Sequence, residues 1–361
     1  MKNIAIIGIV LSVASCSTIK SSNDNEKIYI VERERESLSV VKDQKEYKTI
    51  KDLGNLNHAT MKFKNGYAYV LARNGFISKI DTSTDLLVKK VKIGKSGIGI
   101  TFTDSQVVVV NYDPNSVVIL DLDLNVQKVI ETSSRNVGVK LWNNLLVFSL
   151  MDKNEIWVLD TKDDFKIVRK IEAVGNLPFD ALIKENLYIV GFFNEGGVGV
   201  LDLKDFTYKK ISLNNPSDNS TYKVPHFGYW GLVGDMAIVP MVTSNKLLVI
   251  DLKDIKRLSE IELIGRPVFA SVSPDKKTLV VSYSGDKEDY ISVIDTKSLT
   301  NKLDFKAGQR IMHFRFSTDG NYLYASSYFE NKMHIFETNS WKKVATVAVG
   351  TPSGIFIKEQ E

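Results

Sequence analysis

One pattern recurs from residue 28 onward and limits the fold more than any other feature. A short apolar run closes on an apolar residue followed by an acidic one, at Ile80-Asp81, Leu120-Asp121, Leu159-Asp160, Leu201-Asp202, Ile250-Asp251, Ile294-Asp295 and Phe336-Glu337, with Val41-Lys42 as a degenerate first member. The spacing is roughly 40 residues, the period of a four-stranded propeller blade. Runs such as residues 107–110, 145–150 and 278–283 have the length and composition of strands, and no long stretch carries helical periodicity. The expectation is therefore an all-β chain, an eight-bladed β-propeller with a central channel, spanning residues 28–359. The widest gap lies between Leu201 and Ile250, where residues 214–221 read as an inserted polar loop. The strand at residues 27–33 precedes the first marker and is expected to close the ring by completing the last blade beside residues 344–349. Closure of this kind removes free sheet edges. The marker aspartates are expected to cap turns through bonds to backbone N–H groups.

The N-terminal residues follow a different logic. Met1-Lys2-Asn3 is a short positive start, and residues 4–14 form an apolar run too short to span a bilayer. The run ends in Val13-Ala14-Ser15-Cys16, which resembles the bacterial lipoprotein processing box. The reading is a signal peptide over residues 1–16, lipidation at Cys16, and a polar tether over residues 17–27. Ser17 follows the cysteine, with no aspartate to favour inner-membrane retention, so the expected location is the periplasmic side of the outer membrane. Cys16 is the only cysteine. Consumed by lipid, it leaves none for disulfides, c-type haem attachment, zinc or a thiol nucleophile. A formal net charge of +4 over 361 residues gives no case for nucleic-acid binding.

Chemistry concentrates where the repeats begin. The loop leading into each blade contains, in turn, His58, Lys95, Arg135, Asp180, the stretch Tyr222-Lys223-Val224-Pro225-His226, Arg266, and Arg310 with His313. His58, Asp180, His226 and His313 fall close to one phase of their repeats, which in a closed ring predicts a shared mouth of the channel. The loop after the second strand of a blade reaches the same face and adds Arg73, Asn111 with Tyr112, Asp152 and Asn194. The remaining histidine, His334, lies in a blade strand and reads as structural. A cationic mouth holding imidazoles and aromatics suits a flat, iron-bearing ligand with several carboxylates. Imidazole ligates iron, and arginine grips carboxylates with two parallel hydrogen bonds. Other site signatures fail: Gly94-Lys95-Ser96 lacks the upstream glycine of a phosphate loop, no Gly-x-Gly-x-x-Gly opens a helix, and no histidines four apart suggest zinc.

Several stretches carry a family resemblance. Gly54-Asn55-Leu56-Asn57-His58-Ala59, Arg73-Asn74-Gly75, Asn111-Tyr112, Pro178-Phe179-Asp180-Ala181-Leu182-Ile183, Tyr222-Lys223-Val224-Pro225-His226, Arg266-Pro267-Val268-Phe269 and Pro352-Ser353-Gly354-Ile355-Phe356 occur in order over most of the chain. The chain resembles the NirF family, lipoproteins required for making heme d1 of cytochrome cd1 nitrite reductase. The resemblance implies an eight-bladed propeller and a heme d1 precursor, an iron tetrapyrrole, bound in the channel mouth. It implies a late step that remodels side chains of a siroheme-derived macrocycle. On this reading His58 or His226 is the axial iron ligand, and the other histidine, with Asp180, handles protons. Arg73, Arg135, Lys223 and Arg266 hold the carboxylates, with Asn111, Tyr222 and His313 completing the site. No nucleotide cofactor is evident. The implied partners are cytochrome cd1 nitrite reductase, other heme d1 biosynthesis proteins, and periplasmic c-type cytochromes. Two alternatives remain at this point: a carrier that delivers the cofactor unaltered, and a propeller scaffold for envelope proteins that binds no tetrapyrrole.

Overall fold

The computed structural model describes residues 26–213, 231–241 and 243–358. These form eight four-stranded antiparallel sheets arranged as the blades of a propeller. Seven blades are built from consecutive strands, the first being Thr60–Lys64, Tyr67–Leu71, Phe76–Asp81 and Leu86–Lys92, from the channel outward. Blades 2 to 7 begin at Ser96–Phe102, Asn136–Trp142, Pro178–Lys184, Leu232–Val233, Arg266–Val272 and Ile311–Phe316. Among the described residues there is no α-helix, and Arg33–Arg35 and Gly285–Lys287 form short 3-10 turns.

The sequence marks out this architecture strand by strand. Second and third strands are sandwiched between neighbouring blades on both faces, so they read as unbroken apolar runs, as in Val107, Val108, Val109 and Val110, all fully buried. Outermost strands have one sheet edge in water and are rich in lysine, as in Leu86–Lys92 and Lys166–Ile171, which discourages edge-to-edge pairing. The buried side chains sort into eight clusters, each shared by two adjacent blades. The core is thus a ring of inter-blade layers around the channel. The marker pairs all sit at the ends of third strands. Asp81, Asp121, Asp160, Asp202, Asp251 and Asp295 each accept a hydrogen bond from the backbone N–H two residues on, at 2.7–3.0 Å, the turn-capping role expected of them.

Ring closure differs from the expectation in one respect. Ile28–Glu32 pairs with Ser37–Lys42 on one side and with Pro352–Ile357 on the other. The eighth blade therefore takes three strands from the N-terminal side, ending in Lys45–Ile50, and its innermost strand from the C-terminal side. Lys343–Ala348, expected as the partner of the N-terminal strand, is the outermost strand of blade 7. Both segments are short and apolar, and only the ring's geometry decides which abuts the N-terminal strand.

Candidate functional site

The loop before a blade and the loop after its second strand are tied together by a repeated backbone bond. Arg73 N–H donates to Asn55 O (2.7 Å), Met151 to Arg135 O (2.9 Å), Phe193 to Leu177 O (3.0 Å), Tyr328 to Arg310 O (3.1 Å) and Arg33 to Thr351 O (3.1 Å). Each pair joins one inter-blade loop to one intra-blade loop, so both kinds rise on one face and form the mouth.

The sector over blades 1 to 4 holds the densest chemistry. His58 is exposed and sits in a left-handed turn (φ 56°), pinned by Asn57 N–H on Asn55 Oδ1 (2.9 Å) and Ala59 N–H on Leu56 O (3.1 Å). Arg73 stands beside that loop, its guanidinium carbon 5.1 Å from the Tyr112 ring centroid. Arg135 flanks the same ring at 5.8 Å, so one phenol lies between two cations. Burial pushes the Tyr112 hydroxyl up, Arg73 and Arg135 pull it down, and the net direction is up. Tyr112 is therefore a neutral donor at physiological pH. Arg135 is already engaged: its Nη2 and Nε reach Asp152 Oδ1 at 2.6 and 3.0 Å, and its backbone N–H reaches Oδ2 at 2.8 Å. That bond holds the Asp152 carboxyl below the usual carboxylate range and raises Arg135 in turn. Arg73 differs. Its Nη1 is buried and has no hydrogen-bond partner among the described residues, a costly arrangement unless a ligand supplies an acceptor.

Asp180 lies lower, in the innermost strand of blade 4. Its backbone falls in a bulge between Pro178 and Ala181, where pairing to the second strand slips. The innermost strands of blades 2, 3, 6, 7 and 8 are bulged too, which re-aims side chains where a strand passes the channel. Asp180 Oδ1 accepts Ala181 N–H (2.8 Å) and lies 3.7 Å from Lys140 Nζ. Phe179 beside it meets Phe193 edge-on, with centroids 4.8 Å apart. On the far side of the mouth Arg266 is exposed at the start of blade 6. Arg310 packs over Tyr328 and Phe329 and pairs with Glu288 at 3.8 Å.

Two expected site residues are placed elsewhere. Asn111 is fully buried, with Nδ2 donating to Ile93 O (3.4 Å) and Ser116 Oγ (3.3 Å), so it braces the loop beneath Tyr112 and does not line the mouth. His313 is 8% exposed. Its Nδ1 accepts Ile355 N–H at 3.1 Å, and its ring packs against Phe269 and Phe356. Burial, reinforced by Arg315, drives its pKa well down, so it is a neutral residue of the blade 7–8 seam. The shared phase of His58 and His313 does not become a shared height, because His58 precedes its strand whereas His313 falls inside the bulge of its own. His334 is buried in its strand, bonded to Glu330 (2.7 Å) and Thr346 (3.0 Å). Tyr222, Lys223, His226 and Cys16 lie outside the described residues. Sequence reasoning missed Lys62 and Lys140 on innermost strands, and Arg33 and Arg35, whose loop belongs to the blade completed at closure. The Arg33-x-Arg35 spacing directly after the first strand was the available signal.

With this geometry in place, three comparisons bear on identity. Residues 23–361 match the Cytochrome D1 heme domain family. Protein NirF of Pseudomonas aeruginosa is 29% identical over 334 residues, covering 86% of this chain and 85% of that protein. Protein NirF of Stutzerimonas stutzeri is 26% identical over 358 residues, covering 92% and 91%. Among solved structures, dihydro-heme d1 dehydrogenase NirN in complex with DHE superposes with a TM-score of 0.82 at 21% identity, covering 93% of this chain and 76% of that one, a likeness of fold. The resemblance to NirF carried by the loop motifs is borne out, and the chain belongs to the Cytochrome D1 heme domain family.

Proposed function

We propose that this chain binds a siroheme-derived precursor of heme d1 across the propeller mouth and remodels one of its side chains. Family membership supports the broader part, a role in heme d1 biosynthesis or binding. The solved NirN complex with DHE supports a tetrapyrrole on this fold. The observation that carries the reading is the Arg73–Tyr112–Arg135 stack at the mouth, with Arg73 Nη1 under-satisfied, its backbone tied to the loop that bears exposed His58, and the charge of Asp180 acting on the Tyr112 phenol.

The donor set fits such a ligand. Among the described residues no group of three or more His, Cys, Asp or Glu is arranged to hold a free metal ion, whereas a macrocycle that brings its own iron needs only one axial imidazole. His58 is the described candidate for that bond. Arg73 and Arg135 are placed to take macrocycle carboxylates, Arg135 by exchanging Asp152 for the ligand. Tyr112 offers a neutral hydroxyl and an aromatic face between them. Asp180, half-buried next to Lys140, would accept or return a proton at the reacting side chain. His226, Tyr222 and Lys223 are proposed to complete the mouth from the blade 5 loop. Cys16 would anchor the chain on the periplasmic side of the outer membrane, close to c-type cytochromes and to cytochrome cd1 nitrite reductase as recipient.

An absorption titration with an iron tetrapyrrole precursor tests the reading. The wild type should give a shifted Soret band and the His58→Ala variant should lose it; no shift in the wild type would overturn tetrapyrrole binding. Mass analysis of the recovered ligand separates the alternatives, because tight binding with unchanged ligand mass would make the protein a carrier.

A further inference from the structure

Below the mouth the innermost strands bring basic groups together that the reading above leaves unused. Lys62, Lys140 and Asp180 lie on the innermost strands of blades 1, 3 and 4. Lys140 Nζ is 3.7 Å from Asp180 Oδ1, and the charges of both act on Lys62. One carboxylate thus pairs with Lys140 and offsets part of the charge on Lys62, and part of its hydrogen-bonding capacity already goes to Ala181 N–H. A cavity of about 480 Å³ adjoins Lys140, lined also by Lys64, two residues along the strand from Lys62, by Thr101, and by apolar Phe102, Leu141, Leu182 and Ile183. The Lys62 amine is pushed down to about 8, chiefly by burial and next by Lys140, with Asp180 opposing. Its charged form is therefore under-compensated, and a further anion would relieve it.

We infer that the channel beneath the mouth is a carboxylate-binding site, in which Lys62 and Lys140 clasp the carboxylate and Asp180 holds Lys140 in position. The carboxylate comes either from an acidic side chain of a tetrapyrrole seated at the mouth, which rests on the function proposed above, or from a free short-chain carboxylate in the adjoining cavity.

The test uses the full chain with its lysines dimethylated with carbon-13, a change that keeps their charge. The Lys62 resonance is the one missing from Lys62→Arg. Its titration midpoint is followed by NMR without anion, with sodium propionate, and with iron uroporphyrin, while the Soret band is read in parallel. The expected result is a midpoint near 8 without anion, raised by at least about one unit on saturation, which corresponds to about tenfold tighter binding to the charged amine. Lys140→Gln should raise the anion-free midpoint of Lys62 and weaken propionate binding about tenfold. A rise with propionate alone supports a free carboxylate, and a rise with iron uroporphyrin alone supports a macrocycle side chain. A Soret shift with no change in Lys62 under either probe overturns this inference and leaves tetrapyrrole binding intact. A propionate response without any Soret shift upholds the inference and counts against the tetrapyrrole. Calorimetry on unmethylated protein gives an independent decision, since equal propionate affinity in wild type, Lys62→Gln and Lys140→Gln would also overturn the site.

Discussion

Asp85→Ala should loosen the seam between blade 8 and blade 1. Asp85 lies in the turn between Phe76–Asp81 and Leu86–Lys92 of blade 1, with its side chain 2% exposed. It accepts the Tyr29 hydroxyl at 2.6 Å, the Lys27 ammonium at 2.7 Å and the Tyr47 hydroxyl, all from the N-terminal part of blade 8 or the residue just before it. Removing the carboxylate leaves the wholly buried Tyr29 phenol without its acceptor, at a cost of about 1–3 kcal/mol. It also leaves the Lys27 ammonium, 21% exposed, with the Thr82 carbonyl at 2.7 Å and the Tyr47 side chain but no carboxylate. Breaking a buried pair from one side costs about 3–5 kcal/mol. The terms share one carboxylate and do not add, so the expected loss is about 3–5 kcal/mol in all. Asp85→Asn keeps an acceptor oxygen and should lose about 1–3 kcal/mol. Urea unfolding followed by tryptophan fluorescence measures this as a shift in midpoint at constant slope. The same cluster predicts alkaline lability. Lys27 and Tyr29 both have raised pKa values in the fold, Lys27 because the bonds to Asp85 and Tyr47 outweigh its burial, Tyr29 through burial and then Asp85. Their stabilisation is complete below the unfolded values of 10.5 and 10.0 and is lost as pH rises through the folded ones. Wild-type stability should fall above pH 10, and more steeply than that of Asp85→Ala. A loss below about 1 kcal/mol in Asp85→Ala, or parallel alkaline profiles, would refute the claim that this carboxylate locks the seam between blades 8 and 1.

The remaining expectations concern the mouth and the blade 7 core. Gly75→Ala places a methyl 2.2 Å from Gly94 O at a φ of +78°; the backbone conformation alone costs about 1–3 kcal/mol, so thermal melting should drop and tetrapyrrole affinity should fall with it as the Arg73 loop shifts. Arg73→Ala should weaken binding of a carboxylated iron tetrapyrrole by about 2–5 kcal/mol in an absorption titration, with stability unchanged or improved because the orphaned Nη1 disappears. Glu330 is held down to about 2, first by Ser327 and then by His334. Its stabilisation is therefore present above its unfolded value of 4.5 and lost as pH falls toward 2. Glu330→Gln should be less stable than wild type at neutral pH by at most about 3 kcal/mol, the gap closing between those two pH values in acid-unfolding curves.

The repeat was legible because its physics is local. A third strand buried on both faces must be apolar, and the turn that follows needs an acceptor for its backbone N–H groups, so Ile80-Asp81 and its counterparts report a blade each. The mouth was partly legible for the same reason: loops of fixed phase carry His58, Arg73 and Arg135, and backbone pairing such as Arg73 to Asn55 brings them to one face. Phase failed where depth matters. Asn111 and Tyr112 are adjacent in sequence, yet one is fully buried and the other half-exposed between two arginines. His313 reads like a mouth residue until the bulge at Ile311–Phe314 turns it into the blade seam.

The amino-acid sequence by itself therefore determined the number of blades, the strand order within seven of them, the turn caps and the family, since each depends on residues within one repeat or on short motifs. Tertiary structure alone decided which terminal strand lies against the channel, which loop side chains reach the mouth, and that Lys62, Lys140 and Asp180 meet. These three come from three different repeats, two of them neighbours, and nothing in the local pattern of any one of them specifies the others. Their encounter follows from closing eight twisted sheets into a ring, which converts distance along the chain into proximity across a channel.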